Sequence, residues 1–215
     1  MGVNCCNTAS SCATTRHSKR YRKILWAALA VNLGMFGVEI FAGMRADSVS
    51  LLADSLDFLG DAANYGISLA VLGMSLTLRA RASQLKALSM LVFGVGVLTA
   101  AIWHLLSGQV PDAPTMGWVG ALALLANVGV AALLYAYRDG DSNMRSVWLC
   151  SRNDALGNIA VLFAALGVFG TGSAWPDLLV ASIMAGLAVS SSYQVLRHAR
   201  EELASQAAIP QASDH

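Results

Sequence analysis

Apolar residues in this sequence form blocks of roughly twenty residues, and this grouping constrains its fold more than any other feature. An α-helix rises 1.5 Å per residue, so a block of that length crosses a hydrocarbon core of about 30 Å. Charged residues make up only 13% of the chain, against roughly a quarter in average soluble domains. The sequence therefore predicts an all-α, polytopic membrane protein surrounded by the lipid bilayer.

Short breaks, either polar or rich in glycine and proline, divide the apolar residues into six predicted transmembrane helices. The predicted spans are, in chain order, residues 24–44, 48–77, 84–107, 116–137, 146–170 and 174–196. Residues 24–196 would then form one six-helix transmembrane domain. It is preceded by a flexible tail over residues 1–23 and followed by a short tail over residues 197–215.

Lys and Arg residues are concentrated on one side of the predicted spans. Five lie in the tail before the first span, and others lie in the second and fourth loops and in the final tail. Positive charge accumulates on the cytoplasmic side, so both termini are predicted to be cytoplasmic in a multi-pass protein of the cytoplasmic (inner) membrane. A net charge of +1 without a basic face excludes a nucleic-acid-binding protein.

The second predicted span carries three carboxyl groups, at Asp54, Asp57 and Asp61. Their spacing places all of them on one face of a helix. An ionisable side chain at the bilayer centre costs about 2.5–3.5 kcal/mol on insertion scales. Several such groups in one span therefore predict a functional site within the membrane.

The fifth predicted span has a matching polar face, formed by Cys150, Asp154 and Asn158. The second span enters the membrane from outside and the fifth from the cytoplasm, so Asp57, Asp61 and Asp154 are predicted to meet near the midplane. Carboxylate oxygens, with or without a thiolate, suit a four-coordinate site for Zn²⁺ or a similar ion.

A divalent metal ion would offset the repulsion between these carboxylates, some of which would otherwise stay protonated. Release of the metal would let protons return, so that metal and protons compete for one site, as a proton-driven antiporter requires. Two alternatives stay open from the residues alone. One is a pathway for protons without metal, and the other is a structural set of protonated, hydrogen-bonded Asp side chains.

Residues 48–61, Ser-Val-Ser-Leu-Leu-Ala-Asp-Ser-Leu-Asp-Phe-Leu-Gly-Asp, resemble the signature of the cation diffusion facilitator family of metal-ion transporters. The family's transport site takes two ligands from the second helix and two from the fifth. The resemblance implies that the second-helix ligands are Asp57 and Asp61. The fifth-helix motif falls on Cys150 and Asp154. The implied activity is efflux of a divalent cation of the Zn, Cd or Co type, without a prosthetic group and without enzymatic activity.

The resemblance extends over roughly residues 20–200, with three departures from the family pattern. The usual His of the fifth helix is replaced by Cys150, which acts either as a soft metal ligand or as a packing residue. Asn153 or Asn158 could supply an oxygen ligand instead. The fourth loop lacks a His-rich stretch. The chain is also expected to be a short form without the family's C-terminal cytoplasmic domain, so formation of a homodimer is left open.

Three further polar residues of the spans are assigned to the surroundings of the site. Asp54 belongs to the signature but lies outside the ligand spacing, so it is expected to support a ligand or to line the entry path. Glu39, in the first span, is expected to line the proton or ion path or to hydrogen-bond to another helix. Asn158 is expected to line the same path.

The amino-terminal tail carries three thiols, at Cys5, Cys6 and Cys12. They predict either capture of a soft metal ion for the transport site or a flexible tail without a role in metal binding. Two other functions stay open. One is a membrane-bound metal-binding or sensing protein that does not transport, and the other is an intramembrane hydrolase with an aspartyl pair.

Overall fold

A computed structural model describes residues 19–70, 76–136 and 142–207 of the chain. Six α-helices make up almost all of these residues, and none of the described residues forms a β-strand. The helices are α1 (Lys19–Ala46), α2 (Val49–Ala70), α3 (Leu76–Ser107), α4 (Ala113–Tyr135), α5 (Ser142–Thr171) and α6 (Trp175–Ala207). The prediction of an all-α fold is confirmed.

Five of the six helices are long and apolar enough to cross a membrane. The exception is α2, whose 22 residues include Asp54, Asp57 and Asp61. It is enclosed by α1, α3, α5 and α6, each of which it contacts. The outer surface of the bundle carries large apolar side chains such as Trp118, 80% exposed, and Phe169, 77% exposed, as expected for a surface in contact with lipid. The predicted polytopic membrane fold is thereby confirmed.

The predicted end of the second span is wrong. α2 ends at Ala70 and α3 begins at Leu76, so the last two residues of the span predicted over 48–77 belong to the next helix. Residues 71–75 lie outside the described part of the chain. Apolar side chains continue on both sides of this point, so hydropathy shows no break there.

The described residues form four buried apolar clusters. One of them joins α2, α3 and α6, and the other three are layers that follow one another along α1, α2 and α4. The Tyr65 layer contains Tyr21, Leu25, Ala28, Tyr65, Val130 and Leu134. The Phe58 layer contains Met35, Phe58 and Ala123. The Leu51 layer contains Ala42, Leu51, Met116, Val161, Ala164, Ala165 and Val168. Because each layer draws on all three helices, the helices are held in register, and buried polar residues lie at defined depths between the layers.

The N-terminus of α2 is held by the carboxylate of Asp177, which lies at the start of α6 and is fully buried. This carboxylate accepts hydrogen bonds from Ser48 Oγ (2.8 Å), Val49 N (2.9 Å), Ser50 N (3.1 Å) and Ser50 Oγ (2.6 Å). The first N–H groups of a helix have no partner within the helix, and a negative charge there interacts favourably with the helix dipole. Asp177 therefore fixes where α2 begins, and with it the depth of the acidic face of α2.

Candidate metal centre

The three carboxyl groups of α2 lie on one continuous helix, within 22 residues. Asp54 and Asp61 are 1% and 4% exposed, and Asp57 is half-buried. Side chains three and seven residues apart share a helix face, so the three form one acidic face. We call this set of Asp54, Asp57 and Asp61 the acidic face of α2.

The backbone of α5 packs against this acidic face at Gly157. A Cβ added to Gly157 would lie 3.8 Å from Asp57 Oδ2 and 3.9 Å from Asp54 Oδ1. Because glycine has no side chain, the two helices can approach closely here. Asp154 lies one turn earlier on α5 and is half-buried. Since α5 runs antiparallel to α2, a residue one turn before Gly157 lies nearer to Asp61 than to Asp54. Asp154 is therefore at the Asp61 end of the acidic face.

A hydrogen-bonded bridge joins Asp61 of α2 to Ser151 of α5. The Tyr65 hydroxyl donates to Asp61 Oδ2 over 2.8 Å and lies 2.7 Å from Ser151 Oγ. A tyrosine hydroxyl has a single proton, so Ser151 donates to the Tyr65 oxygen when Tyr65 donates to Asp61. Asp154 is also close enough to Tyr65 to interact with it electrostatically. The bridge orients Asp61 and ties α2 to α5 at the acidic face.

Sequence reasoning missed Tyr65, Ser151 and Asp177. Serine and tyrosine are common in membrane helices, and neither residue alone indicates a site. The one available signal was the spacing of Tyr65 four residues after Asp61, which places both on one helix face. Asp177 gave no signal of its role, because the groups that it binds lie at the start of another helix.

Asp57, Asp61 and Asp154 thus lie on helices that face each other. Among the residues whose side chains are described, no group of three or more His, Cys, Asp or Glu is gathered closely enough to hold a metal ion. The side chain of Cys150 lies outside that part of the structure, so the four-ligand set stays a prediction. The tail thiols are outside the described residues as well: Cys5, Cys6 and Cys12.

The turn that connects α1 to α2, between Ala46 and Val49, is called the α1–α2 corner. Glu39 of α1 lies beside the end of the acidic face that is nearer this corner. Its side chain is fully buried. Its carboxyl group interacts electrostatically with the carboxyl groups of Asp54 and Asp57. The first helix therefore adds a carboxyl group to those of α2 and α5.

Lys86 of α3 lies beyond the other end of the acidic face. Its ammonium group donates a hydrogen bond to Asn64 Oδ1 of α2. Asn64 is three residues after Asp61, so the two side chains lie on neighbouring parts of the helix surface. The two helices are close together here, because a Cβ added to Gly60 would lie only 3.0 Å from Met90 Cε. Lys86 therefore places a positive charge beyond the Asp61 end of the acidic face of α2.

Comparison with known proteins adds one match. A family model described as the cation efflux transmembrane domain matches residues 25–83 and 79–204 of the chain. The matched segments include all of α2 and α5, and so all four predicted ligand positions. No curated protein matches the chain.

Proposed function

The chain belongs to the cation efflux family, the cation diffusion facilitators, whose members are metal-cation transporters rather than enzymes, and we propose that it exports a divalent metal ion in exchange for protons. The proposed cargo is Zn²⁺, Cd²⁺, Co²⁺ or a similar ion, and the proposed membrane is the cytoplasmic membrane. The proposed ligands are Asp57, Asp61, Cys150 and Asp154.

The observation that carries this proposal is the bridge from Asp61 through Tyr65 to Ser151. It holds the acidic face of α2 against the turn of α5 that contains Cys150 and Asp154. Residues that orient a ligand in this way are typical partners of metal-binding side chains. An ion bound by carboxylates of α2 is then within reach of donors from α5.

Coupling to protons follows from the chemistry of the ligands. Carboxylates bind metal only when they are deprotonated, and a thiol binds it as the thiolate. Metal binding therefore releases protons, and protons that reach the site from the opposite side of the membrane displace the metal. A thiolate at Cys150 would add preference for soft ions such as Cd²⁺ over harder ones.

Transport also requires that the site open to each side in turn. α2 is tied to α5 by the Tyr65 bridge and to α6 by Asp177. We therefore propose that α2, α5 and α6 shift together relative to the remaining helices, so that access alternates around a nearly unchanged site.

Metal uptake by sealed vesicles tests the proposal. Purified protein is reconstituted into liposomes that contain a metal-sensitive dye, and Zn²⁺, Cd²⁺ or Co²⁺ is added outside while the lumen is acidic. We expect the ion to accumulate inside, and we expect collapse of the pH gradient by an ionophore to slow accumulation. Asp57→Asn and Asp154→Asn should each abolish accumulation, while Cys150→Ser should change the order of preference among the ions.

Asp112→Asn is the matched control, because Asp112 is an exposed carboxylate at the start of α4. It should transport as wild type does. If the wild type binds metal but accumulates none, the protein is a metal-binding or sensing protein of the membrane. If Asp57→Asn and Asp154→Asn accumulate metal as fast as wild type, the proposed site is wrong.

A further inference from the structure

Several buried side chains have polar atoms without a hydrogen-bond partner among the described residues, and three of them lie on or beside the acidic face of α2. They are Glu39 of α1, Asp54 of α2 and Asn158 of α5, which are 0%, 1% and 0% exposed. The atoms concerned are both carboxylate oxygens of Glu39, Oδ2 of Asp54, and both Oδ1 and Nδ2 of Asn158. Buried polar atoms in native proteins nearly always have partners, so these five atoms together call for a ligand.

The three side chains lie at one depth in the bundle. Each is three residues from a member of the Leu51 layer on its own helix: Glu39 from Ala42, Asp54 from Leu51 and Asn158 from Val161. Two contacts support this placement directly. The carboxyl groups of Glu39 and Asp54 are close enough to interact electrostatically, and Gly157, next to Asn158, borders Asp54 Oδ1.

Apolar layers enclose this group on both sides. The Leu51 layer lies toward the α1–α2 corner, and the Phe58 layer lies on the opposite side, with Met35 four residues before Glu39 and Phe58 four residues after Asp54. Carboxylates buried between apolar layers are costly unless something neutralises them. The ammonium group of Lys86 on α3 bonds to Asn64, beyond the far end of the acidic face, and the guanidinium group of Arg45 on α1 lies over the ring of Phe41.

Charge points to the kind of ligand. Counting the acidic face of α2 together with Glu39 and Asp154, five carboxyl groups follow one another along this part of the bundle. One divalent ion at the predicted ligands offsets two negative charges. Further carboxylates at Glu39 and Asp54, with an amide oxygen at Asn158, are the oxygen donors that hard divalent cations prefer.

We propose that Glu39, Asp54 and Asn158 form a second cation site, made of oxygen donors alone, about one helical turn from Asp57 toward the α1–α2 corner. The corner is predicted to face the outside, so the second site would receive the ion after it leaves Asp57 and Asp61. That the second site binds the same ion that the protein exports is an inference that rests on the proposed function.

Binding of Mn²⁺ followed by electron paramagnetic resonance tests for the second site. Mn²⁺ is chosen because it prefers oxygen ligands and binds weakly to thiols, so the tail thiols do not contribute. Full-length protein in detergent should bind two Mn²⁺ per chain at saturation, with a spectrum broadened by coupling between ions that lie about a helical turn apart. Glu39→Gln and Asp54→Asn should each bind one, without the broadening.

The remaining variants separate the two sites. Asp61→Asn should lose the ion at the predicted ligands Asp57, Asp61, Cys150 and Asp154 and keep the ion at the second site. The double variant Asp61→Asn, Glu39→Gln should bind no Mn²⁺. Asp112→Asn should bind as wild type does. Glutamine and asparagine keep the shape of the replaced side chains, and a single symmetric peak in gel filtration confirms that each variant is folded.

The proposal is overturned if wild-type protein binds a single, uncoupled Mn²⁺, or if Glu39→Gln and Asp54→Asn keep the coupled pair. The wild-type spectrum decides the matter even if a variant does not fold. Failure of the proposed function looks different: vesicles would accumulate no metal although the coupled pair is present. Transport by a protein that binds one ion would overturn the second site alone.

Discussion

Replacing Tyr65 by Phe tests whether the bridge between α2 and α5 holds Asp61 in an orientation that binds metal. The change removes one hydroxyl group and keeps the ring, which is 1% exposed and packs in the Tyr65 layer. Two contacts are lost, namely the 2.8 Å hydrogen bond to Asp61 Oδ2 and the 2.7 Å contact with Ser151 Oγ. Asp61 then loses the hydrogen bond from Tyr65 that orients its carboxylate.

The size of the effect follows from the lost hydrogen bond. A hydrogen bond to a charged group contributes about 1.5–3 kcal/mol, and each 1.4 kcal/mol corresponds to a factor of ten in affinity. Loss of a residue that orients a metal ligand typically weakens binding by about 10–100-fold. Both routes predict that Tyr65→Phe raises the Kd for Zn²⁺ by roughly 10–100-fold.

The Kd is measured on detergent-purified protein by competition with a fluorescent zinc chelator. Tyr193→Phe is the matched control, because Tyr193 is 66% exposed on α6, and its Kd should equal that of wild type. Ser151→Ala keeps the bond from Tyr65 to Asp61 and should have a smaller effect. A Kd for Tyr65→Phe within about twofold of wild type, a difference of about 0.4 kcal/mol, would show that the bridge does not orient a metal ligand.

Two further substitutions test the packing around the site. Asp177→Asn leaves one acceptor oxygen where two now accept hydrogen bonds from the start of α2. We therefore expect it to lower the free energy of unfolding by about 1–3 kcal/mol. The control Asp112→Asn lies at an exposed helix start, where Asn caps as well as Asp, and should lower the free energy of unfolding by about 0.3 kcal/mol at most. Gly157→Ala places a methyl group 3.8 Å from Asp57 Oδ2, so transport should slow while thermal stability is kept. Gly43→Ala, whose Cβ would lie 2.9 Å from Leu52 Cδ2 and 3.3 Å from its backbone N, should cost about 1–3 kcal/mol. Equal melting temperatures for Asp177→Asn and Asp112→Asn, or for Gly43→Ala and wild type, would contradict these expectations.

Several features of the protein could be predicted because their signals are local. Apolar blocks of spanning length indicate membrane helices, since hydropathy depends only on neighbouring residues, and five of the six described helices are long and apolar enough to cross a membrane. The acidic face of α2 follows from the helical period alone, and residues 48–61 carry the resemblance to the family that the chain matches. The same local reasoning failed at the α2–α3 boundary, where apolar residues continue past the end of the helix.

Contacts between distant parts of the chain were decided only by the tertiary structure. Tyr65 and Ser151 are 86 residues apart, and Asp177 and Ser50 are 127 residues apart. The depth shared by Glu39, Asp54 and Asn158 depends on the register of three helices. In a membrane, lipid and neighbouring helices are about equally apolar, so hydropathy does not show which face of a helix packs against which partner. Close packing and hydrogen bonds between helices make that choice, and they exist only once the helices have assembled.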